Sequence, residues 1–195
     1  MKLLALITIF FMGVSAQAGL MIEPYVGYQM GSYNLKFKDL DLKEEGAQTG
    51  AGYGLRLGYS LPVLAWIALD GQYGSGKQKP KDTTVFNEAK YKSSALFLDV
   101  GIDLPILLRA WVGYGFSNQL DLDYDTGTDY TLKGTATKFG LGFTPLPLFS
   151  VNVEAITNSY TTVSPNLNNS DKLSDTYSET KNTAIFVSIS LPLDL

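Results

Sequence analysis

Four Leu-Pro steps, whose prolines lie 43, 42 and 45 residues apart, constrain the fold of this chain more than any other feature. They are Ser60-Leu61-Pro62-Val63-Leu64, Asp103-Leu104-Pro105-Ile106-Leu107, Pro145-Leu146-Pro147-Leu148-Phe149 and Ser190-Leu191-Pro192-Leu193. Proline has no N–H to give to a central ladder, so each step marks a turn or a strand end. A second, polar break lies inside each interval: Gly74 through Glu88, Asn118 through Gly127 and Asp129, and Ser164 through Glu179, with Lys36 to Gln48 ahead of the first. Connections therefore alternate between a few residues at Leu-Pro and a dozen or more on the other side. Neighbouring strands joined in that order run antiparallel.

The segments between breaks have period two. Tyr53, Leu55, Leu57 and Tyr59 alternate with Gly54, Arg56 and Gly58; Leu96, Leu98, Val100 and Ile102 with Phe97, Asp99, Gly101 and Asp103. Ala110, Val112, Tyr114 and Phe116 alternate with Arg109, Trp111, Gly113 and Gly115, and Phe139, Leu141 and Phe143 with Lys138, Gly140 and Gly142. Val151, Val153 and Ala155 alternate with Asn152 and Glu154, and Ile185, Val187 and Ile189 with Ala184, Phe186, Ser188 and Ser190. With Pro24 to Met30 and Ala65 to Tyr73 these make eight strands, and no helix of useful length competes. Ahead of them, Met1-Lys2, the apolar run Leu3 to Val14 and the small-x-small Ala16-Gln17-Ala18 read as a signal peptide cleaved after Ala18. That run is too short for the roughly 20 residues of a membrane-spanning helix. The expected organisation is a signal at 1–18 and a single β-barrel domain at 19–195.

Two eight-stranded architectures fit, and they assign the faces oppositely. A soluble, lipocalin-like periplasmic barrel turns the large apolar face inward and covers its outside in charge. An outer-membrane barrel turns it outward into lipid. The second face is mostly Gly, Ala, Ser, Asn and Gln, with charges only at Glu23, Arg56, Asp70, Asp99, Asp103, Arg109, Lys138 and Glu154. A water-facing exterior would be about 25–35% charged and poor in glycine, whereas the whole chain is 17% charged with 19 glycines. The expected fold is all-β, an eight-stranded antiparallel up-and-down transmembrane β-barrel. Tyr28, Tyr33, Tyr53, Tyr73, Tyr91, Tyr114 and Tyr160 lie toward the long-connection ends, where amphipathic rings are expected at a membrane–water boundary. Strict alternation points Trp66 and Trp111 inward, either as interior plugs or shifted in phase by a bulge.

A short cleaved leader, eight alternating strands, tight Leu-Pro turns and long polar connections resemble the small outer-membrane β-barrel family, which includes the outer membrane protein A barrel and its eight-stranded relatives. The resemblance implies the outer membrane of a Gram-negative-type envelope. In that family the last strand ends in an alternating apolar assembly signal closed by an aromatic residue. Here Ile185, Val187, Ile189, Leu191, Leu193 and Leu195 alternate, Pro192 interrupts and Leu195 stands last. It implies recognition by the outer-membrane assembly machinery.

The chain has no His and no Cys. That removes the imidazole base of Ser–His and Cys–His catalysis, thiolate zinc and iron–sulfur ligation, and disulfides. Family enzymes that act on lipid or peptide generally use His, so a non-enzymatic protein without cofactor or metal is expected. Net charge is −4, and −5 once Lys2 is removed, so nucleic acid is not an expected partner. The eight polar-face charges, five acids and three bases, are expected to pair as a structural plug, Arg56 with Asp70 or Asp99, because eight strands leave no aqueous channel. Asp121, Asp123 and Asp125 have a calcium-loop spacing, but Thr126 holds the glycine position and Leu132 the bidentate-glutamate position, which leaves a solvated acidic loop. Gly74-Ser75-Gly76-Lys77 lacks the context of a phosphate loop and reads as the flexible start of a connection. Lys77, Lys79, Lys81, Lys90 and Lys92 make that connection basic and suited to lipopolysaccharide phosphates. The expected role is structural or surface-interacting through four external loops whose partner the sequence does not name. The alternative is binding or passage of a small apolar ligand through the barrel mouth.

Overall fold

The computed structural model describes residues 19–37, 43–62, 64–81, 88–124, 129–146, 148–165, 171–172 and 177–195. The expected signal segment lies outside them. The described residues form ten strands: β1 (Gly19–Phe37), β2 (Lys43–Ser60), β3 (Ala65–Pro80), β4 (Ala89–Leu104), β5 (Leu108–Asp123), β6 (Tyr130–Leu146), β7 (Phe149–Pro165), the two-residue β8 (Asp171–Lys172), β9 (Tyr177–Ser190) and the two-residue β10 (Leu193–Asp194). The eight long ones pair in chain order, all antiparallel, and β9 closes the sheet by pairing with both β7 and β1. Closure removes the unpaired N–H and C=O groups that a sheet edge would present to lipid.

The faces settle the choice between the two architectures. Leu55, Leu98, Val112 and Leu141 are exposed on the outside, while Arg56 and Asp99 are fully buried within, and the inward Gly140 is buried beside them. A soluble barrel with its apolar face inward is therefore ruled out. Strict alternation holds through the two tryptophans: Trp66 and Trp111 are both interior. Bulges occur elsewhere, between Leu96 and Phe97 and between Gly115 and Asn118.

Two sequence expectations need correction. Only Tyr28, Tyr53 and Tyr114 of the seven tyrosines stand well exposed; Tyr73 is half-buried, and Tyr33, Tyr91 and Tyr160 point into the barrel. The polar connections are also largely strand. β3 continues through Gly74-Ser75-Gly76-Lys77 to Pro80, and Lys77, Lys79, Lys90 and Lys92 sit on β3 and β4 rather than on a loop. The long strands run to 14–19 residues, beyond the roughly 9–11 that cross a bilayer. Past the membrane the outward face turns polar while the inward face stays buried, as at Gln78, Pro80, Ala89 and Tyr91, so the ladder persists while its hydrophobic alternation fades. Asp121 and Asp123 of the acidic stretch lie on β5; residues 125–128 lie outside the described residues.

Candidate functional site

The lumen is the site to which the polar face contributes. Glu23 on β1 pairs in register with Arg56 on β2, Arg56 with Asp70 on β3, and Asp103 on β4 with Arg109 on β5. Period two turns each of these side chains inward, and Asp99 on β4, Lys138 on β6 and Glu154 on β7 point to the same level.

Arg56 is the hub. Its Nη2 donates to Glu154 Oε1 at 2.6 Å across the lumen, its Nη1 to Glu23 Oε1 at 3.3 Å and its Nε to Asp70 Oδ2 at 3.1 Å, and Asp99 Oδ2 lies 3.5 Å from Nε. The Lys138 ammonium bonds Asp70 and stands 2.9 Å from Asp99 Oδ2 and 3.5 Å from Glu154 Oε1. Arg109 carries the network toward the short turns, with Nη1 3.0 Å from Glu23 Oε1 and Nε donating to Asp103 Oδ1 at 2.8 Å. All eight charged residues singled out in the sequence thus join one connected set. Seven are buried; Asp103 keeps a side chain 42% exposed at the end of the set.

Sequence reasoning pointed Trp66 and Trp111 inward as possible plugs but did not join them, Tyr25 or Ser190 to this set. Tyr25 OH donates to Asp70 Oδ1 at 2.7 Å, Trp111 Nε1 to Glu154 Oε1 at 2.9 Å, Trp66 Nε1 to Asp103 Oδ1 at 3.0 Å and Ser190 Oγ to Glu23 Oε1 at 2.6 Å. The rings also face the cations: the Arg56 guanidinium carbon is 4.6 Å from the Trp111 ring centre and 4.9 Å from that of Tyr25, and Lys138 Nζ is 4.3 Å from that of Phe97. Such contacts strengthen when desolvated.

A pairing rule gives these rings their room. Trp66 lies opposite Gly101, Trp111 opposite Gly140, Tyr25 opposite Gly54, Tyr33 opposite Gly46, Phe97 opposite Gly115, Tyr91 opposite Gly76 and Tyr160 opposite Gly134. A Cβ on Gly140 would stand 2.0 Å from Trp111 Cε2, and one on Gly101 2.3 Å from Trp66 Cζ2. The glycines that read as filler for a narrow interior are instead the floor on which large interior rings lie.

From the short turns upward the interior is layered. Met21, Trp66, Ala68 and Trp111 come first, then the ion network, then Tyr25, Phe97, Ala136, Ile156 and Phe186. Above them lies an amide layer in which Asn118 Nδ2 donates to Asn158 Oδ1 at 2.9 Å and Asn182 donates to Gln48. Its cavity is about 20 Å³ and is lined by Gln29, Gln48, Gln72, Asn118 and Asn158 among others, room for about one water. Tyr91, Leu120, Leu122, Leu132 and Tyr160 cap it at the long-connection end. Among the described residues no group of three or more His, Cys, Asp or Glu is placed to hold a metal. Asp121 instead accepts from Gln119 Nε2 at 3.0 Å and from Thr131 Oγ1 at 2.7 Å.

Comparison with known proteins agrees with this geometry. The chain superposes on the outer membrane protein OprG from Pseudomonas aeruginosa with a TM-score of 0.57 at 11% identity, covering 93% of this chain and 100% of that one. On the outer membrane protein AlkL in DMPC bilayers the TM-score is 0.57 at 15% identity, covering 91% of each chain. On Neisserial surface protein A it is 0.52 at 12% identity, covering 90% of this chain and 98% of that one. At such identities the likeness establishes the fold. No curated protein sequence matches the chain. Residues 3–190 match the outer membrane protein beta-barrel domain family, and the chain belongs to it.

Proposed function

We propose, from the premise that the chain is an outer-membrane β-barrel of this family, that it is a non-enzymatic protein with a sealed lumen, acting through the strands and loops of its long-connection end. One observation carries the reading: the Arg56 network, which ties β2 to β7 and β6 to β3 through buried side chains. Opposed charges in a low-dielectric interior are held by mutual attraction, and removing one leaves the others uncompensated. The same residues that fill the bore therefore resist its opening. Export would use the signal ending at Ala18, with assembly by the outer-membrane machinery and a Gram-negative-type envelope as destination.

Lipopolysaccharide is the partner that the outer surface favours. Lys77, Lys90 and Lys92 are exposed on β3 and β4 just beyond the apolar band, and Lys77 and Lys90 are register partners. Such a basic strip suits phosphate groups at the headgroup level. A second reading, binding of a small apolar ligand at the mouth, is favoured by the inward cluster of Leu120, Leu122 and Leu132.

Liposome swelling with a small sugar tests the sealed-lumen reading. Purified chain in vesicles is expected to give no swelling above empty vesicles. Sugar-driven swelling would overturn it, and saturable quenching of an apolar fluorophore lost in Leu122→Asp would favour the second reading instead.

A further inference from the structure

The short turns are made of the wrong residues for water. Positions 61–64, 104–108 and 145–149 contain only Leu, Ile, Val, Phe and Pro. Leu61, Ile106, Leu107, Leu146, Leu148 and Phe149 stand 40–60% exposed, and apart from the Tyr59 ring the outward residues between them and the lipid-facing band above are apolar. Because the barrel is closed, these turns are distributed around its circumference. A contiguous exposed apolar surface of this kind marks an interaction site.

The backbone gives a second, independent sign. Leu64 and Leu107, the fourth residues of two Leu-Pro turns, have φ of 62° and 64°. That left-handed region is one that Gly or Asn enters easily and a γ-branched residue enters under strain. Each is pinned through its carbonyl, which accepts from the next strand pair: Leu64 O from Asp103 N at 2.7 Å and Leu107 O from Thr144 N at 2.8 Å. The hydrogen bonds explain the conformation but not the side chain. Strain kept at an equivalent position in two turns implies that the leucine side chain itself is used.

We propose that the turn rim is immersed in the lipid leaflet on the short-turn side, and that the strained, exposed Leu107 is an anchor in that leaflet. The height of the band supports lipid as the occupant. On β4 the outward apolar run is Leu96 to Leu104, with Ser94 beyond it. At ~3.4 Å per residue and ~40° of tilt it rises about 20 Å, short of the roughly 25 Å band of such barrels. On that hairpin the turn residues beyond Leu104 supply the missing height. Their distribution also favours a lipid slab, which meets the whole circumference at once, over a docked protein, which would call for a patch on one side.

The cysteine-free sequence makes the test direct. Ile106→Cys and Leu148→Cys, each spin-labelled in the full chain and folded into vesicles of phosphatidylethanolamine and phosphatidylglycerol, are compared with Leu98→Cys at mid-band and Lys133→Cys outside it. The ratio of oxygen to nickel-chelate collisions at both rim positions is expected to match the Leu98 reference more closely than the Lys133 reference. Ratios closer to Lys133 would overturn the proposal and leave a protein partner as the explanation of the apolar rim. The variant Leu107→Asn guards against perturbation by the label. Asn accepts the left-handed backbone, so in water it would relieve strain and raise the unfolding midpoint. Seating in lipid predicts a lower midpoint in the same vesicles, and an unchanged or higher one would contradict it.

Discussion

The two halves of the lumen fill the same bore by different physics. Toward the short turns, five carboxylates and three cations interlock with two indoles and a tyrosine; toward the long connections, neutral amides and leucines do the filling. Charges act over several ångströms in a medium of low dielectric, so removing any hub member of the lower half is felt by all the others. Amides act only on what they touch, and the upper half even contains a cavity of about 20 Å³. The contrast teaches that, on the proposed sealed-lumen reading, the seal would be held below, while the upper half is the part free to differ.

The comparison breaks most sharply at Arg56. Arg56→Leu is expected to cost about 3–5 kcal/mol, the scale of a buried ion network left without its partner, read as a lowered urea midpoint for the gel-mobility shift between folded and boiled protein. A cost below about 1 kcal/mol would mean that the carboxylates reach water, and the lower half would then resemble the upper.

Next in size is the aromatic floor. Gly140→Ala drives a methyl against Trp111, and overpacking of this kind costs about 1–3 kcal/mol. A smaller ring should relieve it, so Gly140→Ala with Trp111→Phe is expected to recover part of the loss in the same assay. No recovery would place the strain in the backbone rather than in the ring.

Within the ion network, five acids face three bases, and they are unequally held. Asp70 receives Tyr25, Arg56 and Lys138, whereas neither oxygen of Asp99 takes a hydrogen bond, although both cations stand near it. Asp70→Asn is therefore expected to cost about 1.5–3 kcal/mol, the range for hydrogen bonds to charged groups, and Asp99→Asn less than about 1. Equal losses would show that charge number rather than placement controls the lower half. In the upper half, Asn158→Ala removes one neutral bond to Asn118, and about 1 kcal/mol is expected.

The smallest effect belongs outside the lumen. Lys79 and Glu88 stand 3.3 Å apart with both side chains more than half exposed. Lys79→Ala is expected to change the midpoint by less than about 0.5 kcal/mol, and only at low salt.

The fold was legible because two signals agreed: prolines at near-equal spacing and apolar residues in strict alternation. The eight charged lumen residues were legible for the same reason, since each sits at an inward phase beside an apolar residue of the outward phase. Their partners were not. Arg56 with Asp70 follows from strand adjacency, but Arg56 with Glu154 crosses the bore between strands 98 residues apart, and no local pattern encodes that distance. The strand extensions were hidden because the hydrophobic pattern fades there: the outward residues of β3 and β4 become Ser and Lys, and the buried inward ones include Gln78 and Pro80. Trp66 and Trp111 were legible as inward by strict alternation, but Tyr33, Tyr91 and Tyr160 were hidden by the expectation that tyrosines near the long connections face the membrane boundary. The signal was present all the same, as glycines opposite each ring on a neighbouring strand, Gly46 for Tyr33, Gly76 for Tyr91 and Gly134 for Tyr160.

The most direct test of a sealed lumen is electrical. Purified chain in a planar bilayer, recorded before and after the Arg56→Leu substitution, is predicted to show a flat baseline in the first case and loss of folded protein rather than a stable pore in the second. Sustained, reproducible current steps from the unsubstituted chain would contradict the account, because a bore closed by the Arg56 network has no path for ions.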